Sequence, residues 1–430
     1  MSTLKIYIEQ DDLYRPEVVY TVGLLSVNKN IPLQIVEHFG EAEVIIGHSE
    51  NADVKISREF FQNIRSGIFD HRGHFDKSPL IMNAAKPDYL SSIFYMVNAL
   101  QEYDGKQADQ LGRFPYKSSY QKKFDVIHEN LVQEYLDQLF LQLFSKRKEV
   151  PVNTPQSSRL FLSHDIDDVY GSWTEDVFFA LKKARLADLS RLLITFMLRK
   201  PDWFNFDQVM NVNDEHDFKS MFLFIVHKGK TASGLKNADY DINSPSIRNS
   251  ILKIKERGFE IGLHKSVSSS SFGEELAKLN EPVICNRYHY LKFSWPDAIE
   301  QLEKSRLSVD CSLGFAEEFG LRNNYARPFV PYNVSARRKS TFVEVPLQVM
   351  DRTFYGYKKQ DPVTVADSII SFFERYKHDS VLSLLWHNNF YTSVKFDGYL
   401  ASLKKVLSYL HDQQIKSITA EEIRKQYLNA

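Results

Sequence analysis

The stretch Arg159-Leu-Phe-Leu-Ser-His-Asp-Ile-Asp-Asp168 opens as a short apolar run and ends in a histidine and three aspartates. Crowded carboxylates repel one another, so they persist where a cation, an arginine or solvent offsets the charge. Taken alone, the triplet also suits a solvated loop with an aspartate capping the next helix. The residues downstream weigh between the two. Six more apolar runs follow that at 160–162, most of them separated by helical segments: 222–226, 260–263, 282–285, 307–309, 342–346 and 381–386. Ser244 is placed to cap a helix, Pro245 to start it, Ile247, Ile251 and Ile254 to form its buried stripe, and Gly258 to stop it. Thr419-Ala-Glu-Glu422 is a capping box that opens the last helix. Strand–helix alternation of this kind predicts an α/β fold with a parallel sheet, open or closed into a barrel.

Upstream lies a different pattern. Residues 4–8, 33–36 and 43–46 read as short strands, and 17–27, 91–100 and 124–144 as helices. The last places Ile127, Leu131, Tyr135, Leu139 and Leu143 on one stripe. This predicts a small α/β domain over 1–150, ending in a long helix. No catalytic constellation is visible in it, and His48, His71 and His74 read as surface or loop histidines. The polar segment 147–158, with Pro151 and Pro155, reads as a linker to a second domain over 151–430. The serine run 268–271 reads as a flexible loop.

Composition bounds the function. With 43% hydrophobic and 25% charged residues among 430, the chain is neither disordered nor collagen-like. Lys and Arg number 54 against 55 Asp and Glu, so no global basic field draws the protein to nucleic acid or an anionic membrane; local patches stay open. The two cysteines, Cys285 and Cys311, form no CxxC pair, which excludes a disulfide framework and a cysteine-rich zinc site. The N-terminus lacks a signal-peptide pattern, and no apolar stretch approaches the ~20 residues that span a bilayer. A soluble cytoplasmic protein is the expectation; oligomeric state is not legible.

The chemistry collects where the runs end. Beside the aspartates, the runs finish in His227, His264, Asn286-Arg287-Tyr288-His289, Asp310 and His387-Asn388-Asn389. In a β/α barrel such ends converge on one face. Carboxylates, imidazoles and a guanidinium around a common hollow are the composition of a metal-assisted hydrolytic site. Each residue also has a plainer reading: His264 and His387 as packing histidines, Arg287 as a structural bridge, Asp310 as a turn cap, His227 as a loop residue. Tyr288, Tyr290, Phe293 and Trp295 suit stacking on a sugar ring, or simple packing.

Together these segments resemble the polysaccharide deacetylase family, the NodB-type carbohydrate esterases, over about 159–427. Ser163-His-Asp-Ile-Asp-Asp168 resembles the family's opening strand and aspartate pair. Glu260-Ile-Gly-Leu-His264 is similar to the approach to its metal histidine, Arg287 to its motif arginine, and Leu384-Leu-Trp-His387 to its closing Leu-x-x-His. Val309-Asp-Cys-Ser-Leu-Gly-Phe315 and Ala326-Arg-Pro-Phe329 resemble its connecting segments. The chain as a whole is similar to a divergent bacterial branch with an added N-terminal domain. The resemblance implies an irregular (β/α)7-type barrel and a hydrolase removing an N-acetyl group from a sugar of a glycan, by cleaving a C–N amide bond. It implies Asp165 as general base, Arg287 as its partner and His387 as general acid. It also implies a divalent ion, zinc by preference, on Asp167 (with Asp168 as alternative) and His264. Tyr288 and Trp295 are the candidate sugar-binding residues.

Two departures bear on that expectation. Ile166 splits the aspartate pair. Ser268 stands where the resemblance implies the second metal histidine; His289, near Arg287, is the candidate to replace it. Ser268 also motivates an alternative, a non-catalytic carbohydrate-binding protein that kept the barrel and lost the metal. A His-Asp phosphohydrolase, suggested by His164-Asp165, ranks last because those dipeptides sit on helices and this one ends a strand.

Overall fold

The computed structural model describes residues 3–69, 75–147, 150, 151 and 155–428; His71 and His74 lie outside them. The chain opens with four short strands, β1 (Leu4–Ile8), β2 (Leu33–Val36), β3 (Val44–Gly47) and β4 (Val54–Lys55). They form a parallel sheet in the order β2-β1-β3-β4. β1 buries Leu4, Ile6 and Ile8 and exposes Lys5, the period-two pattern of a strand. Helices α1 (Arg15–Lys29), α2 (Arg58–Arg65) and α3 (Tyr89–Val97) accompany this sheet. α3 is buried from Leu90 to Val97.

The long helix expected over 124–144 is two helices, α4 (Tyr120–Phe124) and α5 (Leu131–Leu143). Asp125 takes a left-handed φ of 56° and ends the first. Between them, the carbonyls of Val126 and Glu129 accept from the Asn324 side chain, and that of Ile127 accepts from Leu321 N. Tertiary hydrogen bonds replace the helical ones there, which periodicity alone does not register.

The second sheet holds the seven expected runs and two strands more. Its members are β5 (Arg159–Ile166), β6 (Ser220–Phe224), β7 (Glu260–Lys265), β8 (Cys285–Tyr288), β9 (Val309–Asp310), β10 (Val343–Glu344), β11 (Val349–Met350), β12 (Val381–Leu385) and β13 (Lys416–Ser417). The order is β10-β9-β8-β7-β6-β5-β12-β11, with β13 beside β5, and all pairs are parallel. The end strands β10 and β11 do not pair, so the sheet curls into half a barrel. The missed strands, β11 and β13, are two residues long, too short to stand out by hydrophobicity. The run expected at 282–285 reaches the sheet only at Cys285, so Asn286, Arg287 and Tyr288 are strand residues rather than strand-end ones.

Alternation decides what faces the inside of the curl. Phe161, Met221, Leu223, Cys285, Val309, Val343 and Val381 pack there with Ile418, Ile423 and Tyr427 from the C-terminal end. Further along the same strands, at even spacing, that face carries Asp165 and Arg287. An apolar plug therefore underlies a polar rim.

Local signals hold in part. Thr419 and Glu422 form the capping box, with Glu422 N donating to Thr419 Oγ1 and Thr419 N to Glu422 Oε2. Ser244 precedes the helix Pro245–Glu256 without a side-chain cap bond; its hydroxyl donates to Asp241 O instead. The serine run is less of a loop than expected, because Ser271 caps the helix Phe272–Leu279 in a second capping box with Glu274. The segment before residue 147 packs against connections of the second sheet. Glu102 and Arg322 form a buried ion pair at 2.6 and 2.8 Å, and Tyr20 OH donates to Val330 O.

Candidate functional site

β5 and β8 deliver the first pair. Asp165 is buried, and Arg287 Nη1 donates to its Oδ1 at 2.7 Å. Arg287 is itself buried, with Nε donating to Cys311 O at 2.9 Å. Burial pushes the Asp165 carboxyl up, but the Arg287 guanidinium and then His264 override it and leave it below the usual carboxylate range. The pairing thus favours the carboxylate form of Asp165.

Asp167, His264 and His289 meet beside it, with one ligand atom from each lying within 4.8 Å of the others. His264 Nε2 is 3.3 Å from Asp167 Oδ1 and 3.4 Å from Asp165 Oδ2, while its Nδ1 bonds Arg287 O at 3.0 Å. His289 Nδ1 lies 3.1 Å from His264 Nε2 and 3.4 Å from Asp167 Oδ1. Asp167 Oδ1 is buried and accepts no hydrogen bond. Burial works against ionised Asp167, yet the facing histidines, His289 first, pull its carboxyl well below the ordinary range. Burial disfavours a charged His264, yet Asp165 and Asp167 raise its pKa. A divalent cation on these atoms would displace the imidazole protons and offset the carboxylate charge in their stead. Two imidazoles and a carboxylate match the donor set of a divalent ion such as zinc, with a position left open. The orphaned Asp167 oxygen fits that reading.

His387 approaches from β12. Its Nδ1 and backbone N both meet Asp351, at 2.7 and 2.6 Å, and its Nε2 points to Asp167 Oδ2 at 3.6 Å. Asp351 follows β11, whose pairing Met350↔Leu385 sets it beside His387. Sequence reasoning missed Asp351. Its signal was an apolar pair, Val349-Met350, ending in Asp351-Arg352, the same pattern as the longer runs. Arg352, Lys236, Glu175 and Arg113 were missed as well. All four line the cavity of about 210 Å³ above the histidines. Arg113 comes from the N-terminal segment and donates to Tyr290 O at 2.8 Å, bracing a bend where Tyr290 and Leu291 take φ of 58° and 51°.

Other candidates fall elsewhere. Asp168 lines the cavity but is held by Lys236 Nζ at 2.6 Å, and burial with nearby Asp239 pushes its carboxyl up to about 6. Ser268 does not face the histidines; its hydroxyl donates to Glu275 Oε1 at 3.0 Å. Tyr288 lines the cavity. Trp295 does not. It is buried at the seam with the N-terminal segment and donates to Asn98 O at 3.0 Å, because its bulk fills core. His164 points away from Asp165. It bonds Trp386 O and Asn213 Nδ2, and burial pulls it down to about 4, a neutral packing histidine. That geometry removes the His-Asp dipeptide reading. Asp310 caps its turn through Ser312 N, and burial raises its carboxyl and that of neighbouring Glu344. His227 bonds Ser270, and His48 bonds Tyr14, both away from the cavity.

A sequence profile for a family of unknown function, DUF7033, matches residues 14–148. No curated protein is similar to the chain in sequence. Among solved structures, a Mycobacterium smegmatis protein assigned as a polysaccharide deacetylase is similar over 64% of this chain and 94% of its own, at 13% identity and TM-score 0.40. The 4-alpha-glucanotransferase of Thermococcus litoralis is similar over 63% and 41%, at 9% identity and TM-score 0.39. A mutant of a CE4 family pseudoenzyme with restored enzymatic activity is similar over 64% and 70%, at 13% identity and TM-score 0.28. These scores are too low for the likenesses to carry the chemistry, which rests on the side chains. No helix among the described residues is long and apolar enough to cross a membrane.

Proposed function

We propose that the chain is a metal-dependent hydrolase that removes an N-acetyl group from a sugar of a glycan or glycoconjugate. The observation that carries this reading is Asp165, bonded by Arg287 at 2.7 Å, beside the Asp167–His264–His289 cluster. Asp167, His264 and His289 would hold the ion. When bound, a divalent cation supplies Lewis acidity, polarising an amide carbonyl and acidifying water. Asp165 accepts the water proton, and Arg287 keeps it charged and aimed between turnovers. His387 donates a proton to the departing amine from Nε2, while Asp351 holds the proton on Nδ1 and fixes the ring. Tyr288 offers a ring at the cavity wall for the sugar. The non-catalytic reading has no observation in its favour, since three ligand atoms assemble without Ser268.

We read 1–150 and 151–430 as the two units of the chain, with Arg113 the contribution of the first to the cavity of the second. The test is acetate release from N-acetylglucosamine oligomers. Release should fall to background after chelation, return with zinc, and vanish in Asp165→Asn. Release that survives both chelator and substitution defeats the reading.

A further inference from the structure

Two consecutive helices, the first beginning at the cavity, present an apolar face to solvent. They are α6 (Glu175–Lys182) and α7 (Leu186–Met197). Eight of the eighteen exposed large apolar side chains among the described residues fall between 178 and 198, with Phe178 at 69% and Leu186 and Met197 at 74% exposure. In α7 only Leu192 is buried; it joins Ala180 and Val394 in a small cluster that anchors the pair. Apart from Trp173, whose ring meets Phe196 edge-on at 5.3 Å, the rest of the face has no cover among the described residues.

Its charges are one-sided. Lys182, Lys183, Arg199 and Lys200 border the face, are exposed, and have no ion pair among the described residues. Every acid in the segment is neutralised or buried. Glu175 pairs with Lys395, Asp176 is buried on Trp203 Nε1, and Asp188 pairs with Arg185. Exposed Leu, Ile, Phe and Met flanked by free Lys and Arg are the composition of helices that lie in a bilayer interface. α7 is about 18 Å long at 1.5 Å per residue, well short of the ~30 Å hydrocarbon layer, so the pair lies on a membrane rather than through it. A second copy fits the face poorly, because a two-fold contact would set the four cations against themselves.

We propose that α6 and α7 seat this protein on the surface of an anionic phospholipid bilayer. The inference goes beyond the hydrolase reading and stands without it. The seat adjoins the cavity, since Glu175 lines both that cavity and a groove formed with Phe178, Lys182 and Lys183.

The test is flotation of the full chain with phosphatidylcholine vesicles, with and without phosphatidylglycerol. Binding is expected to the phosphatidylglycerol vesicles, to weaken with added salt, and to fall roughly tenfold or more in Leu193→Asp/Met197→Asp. Lys182→Glu/Lys183→Glu tests the charge half separately and should lower binding without changing the circular dichroism spectrum. Wild-type protein that ignores anionic vesicles overturns the proposal, as does binding that both double variants leave intact. A dimer in sedimentation that Leu193→Asp/Met197→Asp abolishes, with no vesicle binding, assigns the face to a second copy and also overturns it.

Discussion

His164 and Asp165 adjoin in the chain and face opposite sides of β5. One is a packing histidine whose burial favours the neutral ring, and the other a carboxylate bonded by Arg287. Their identities were legible, and so was the polar character of the strand ends. Which way each side chain points follows from the strand's register, where a one-residue slip exchanges the two faces. Asp351 shows the complementary gap: its role exists only because β11 pairs with β12 and brings it to His387. Asp351→Asn should lower kcat by roughly 100-fold or more with little change in KM, the range for disabling acid–base catalysis. Bound zinc, measured on the purified variant, should match wild type. By contrast, His264→Ala should lose the metal. Metal loss in Asp351→Asn would show that this residue serves the ion instead of the proton.

At the scale of elements, hydrophobic period located most strands and helices, and tertiary contacts set their limits. The break at Asp125 is the clearest case, since the 321–324 segment takes the carbonyls a continuous helix would have used. The start of α3 carries a pH dependence. Asp88 caps it, accepting from Ser91 N at 3.0 Å and from Ser57 N at 2.6 Å, and burial pushes its carboxyl up to about 6. A raised carboxyl binds its proton more tightly in the folded chain than in the unfolded one. Its stabilising contribution is therefore complete below pH 3.8 and is lost as the pH rises through 6. The loss amounts to ~3 kcal/mol for a shift of this size. Asp88→Asn has no such titration. Denaturant unfolding at pH 4 and pH 7 should show the stability difference between wild type and Asp88→Asn moving by about that amount against wild type. A difference that stays constant between the two pH values refutes the assignment.

Across the whole molecule, the N-terminal segment packs against loops and a helix of the part that carries the second sheet. Glu102 and Arg322 are both buried at this seam, and Trp295 spends its indole N–H on Asn98 O. A buried pair gains little over an apolar one, but half a pair is costly. Glu102→Ala should therefore destabilise by roughly 3–5 kcal/mol, read by chemical unfolding, and Glu102→Leu/Arg322→Met should recover most of that. If the single and double variants are equally unstable, the pair is not the element that joins the two parts. Trp295 also shows why aromatic residues near a motif mislead: in sequence a core indole and a sugar platform look alike, and only burial separates them.

The amino-acid sequence by itself determined the alternation of strands and helices and the concentration of ionisable groups near the strand ends. These are local properties of a pleated or helical backbone. The tertiary structure decided that His289, and not Ser268, meets Asp167 and His264, that Asp351 holds His387 and Arg113 lines the cavity, and that α7 keeps only Leu192 inside. Those outcomes depend on which distant segments pair and pack, and no periodicity within a segment encodes the distance to another.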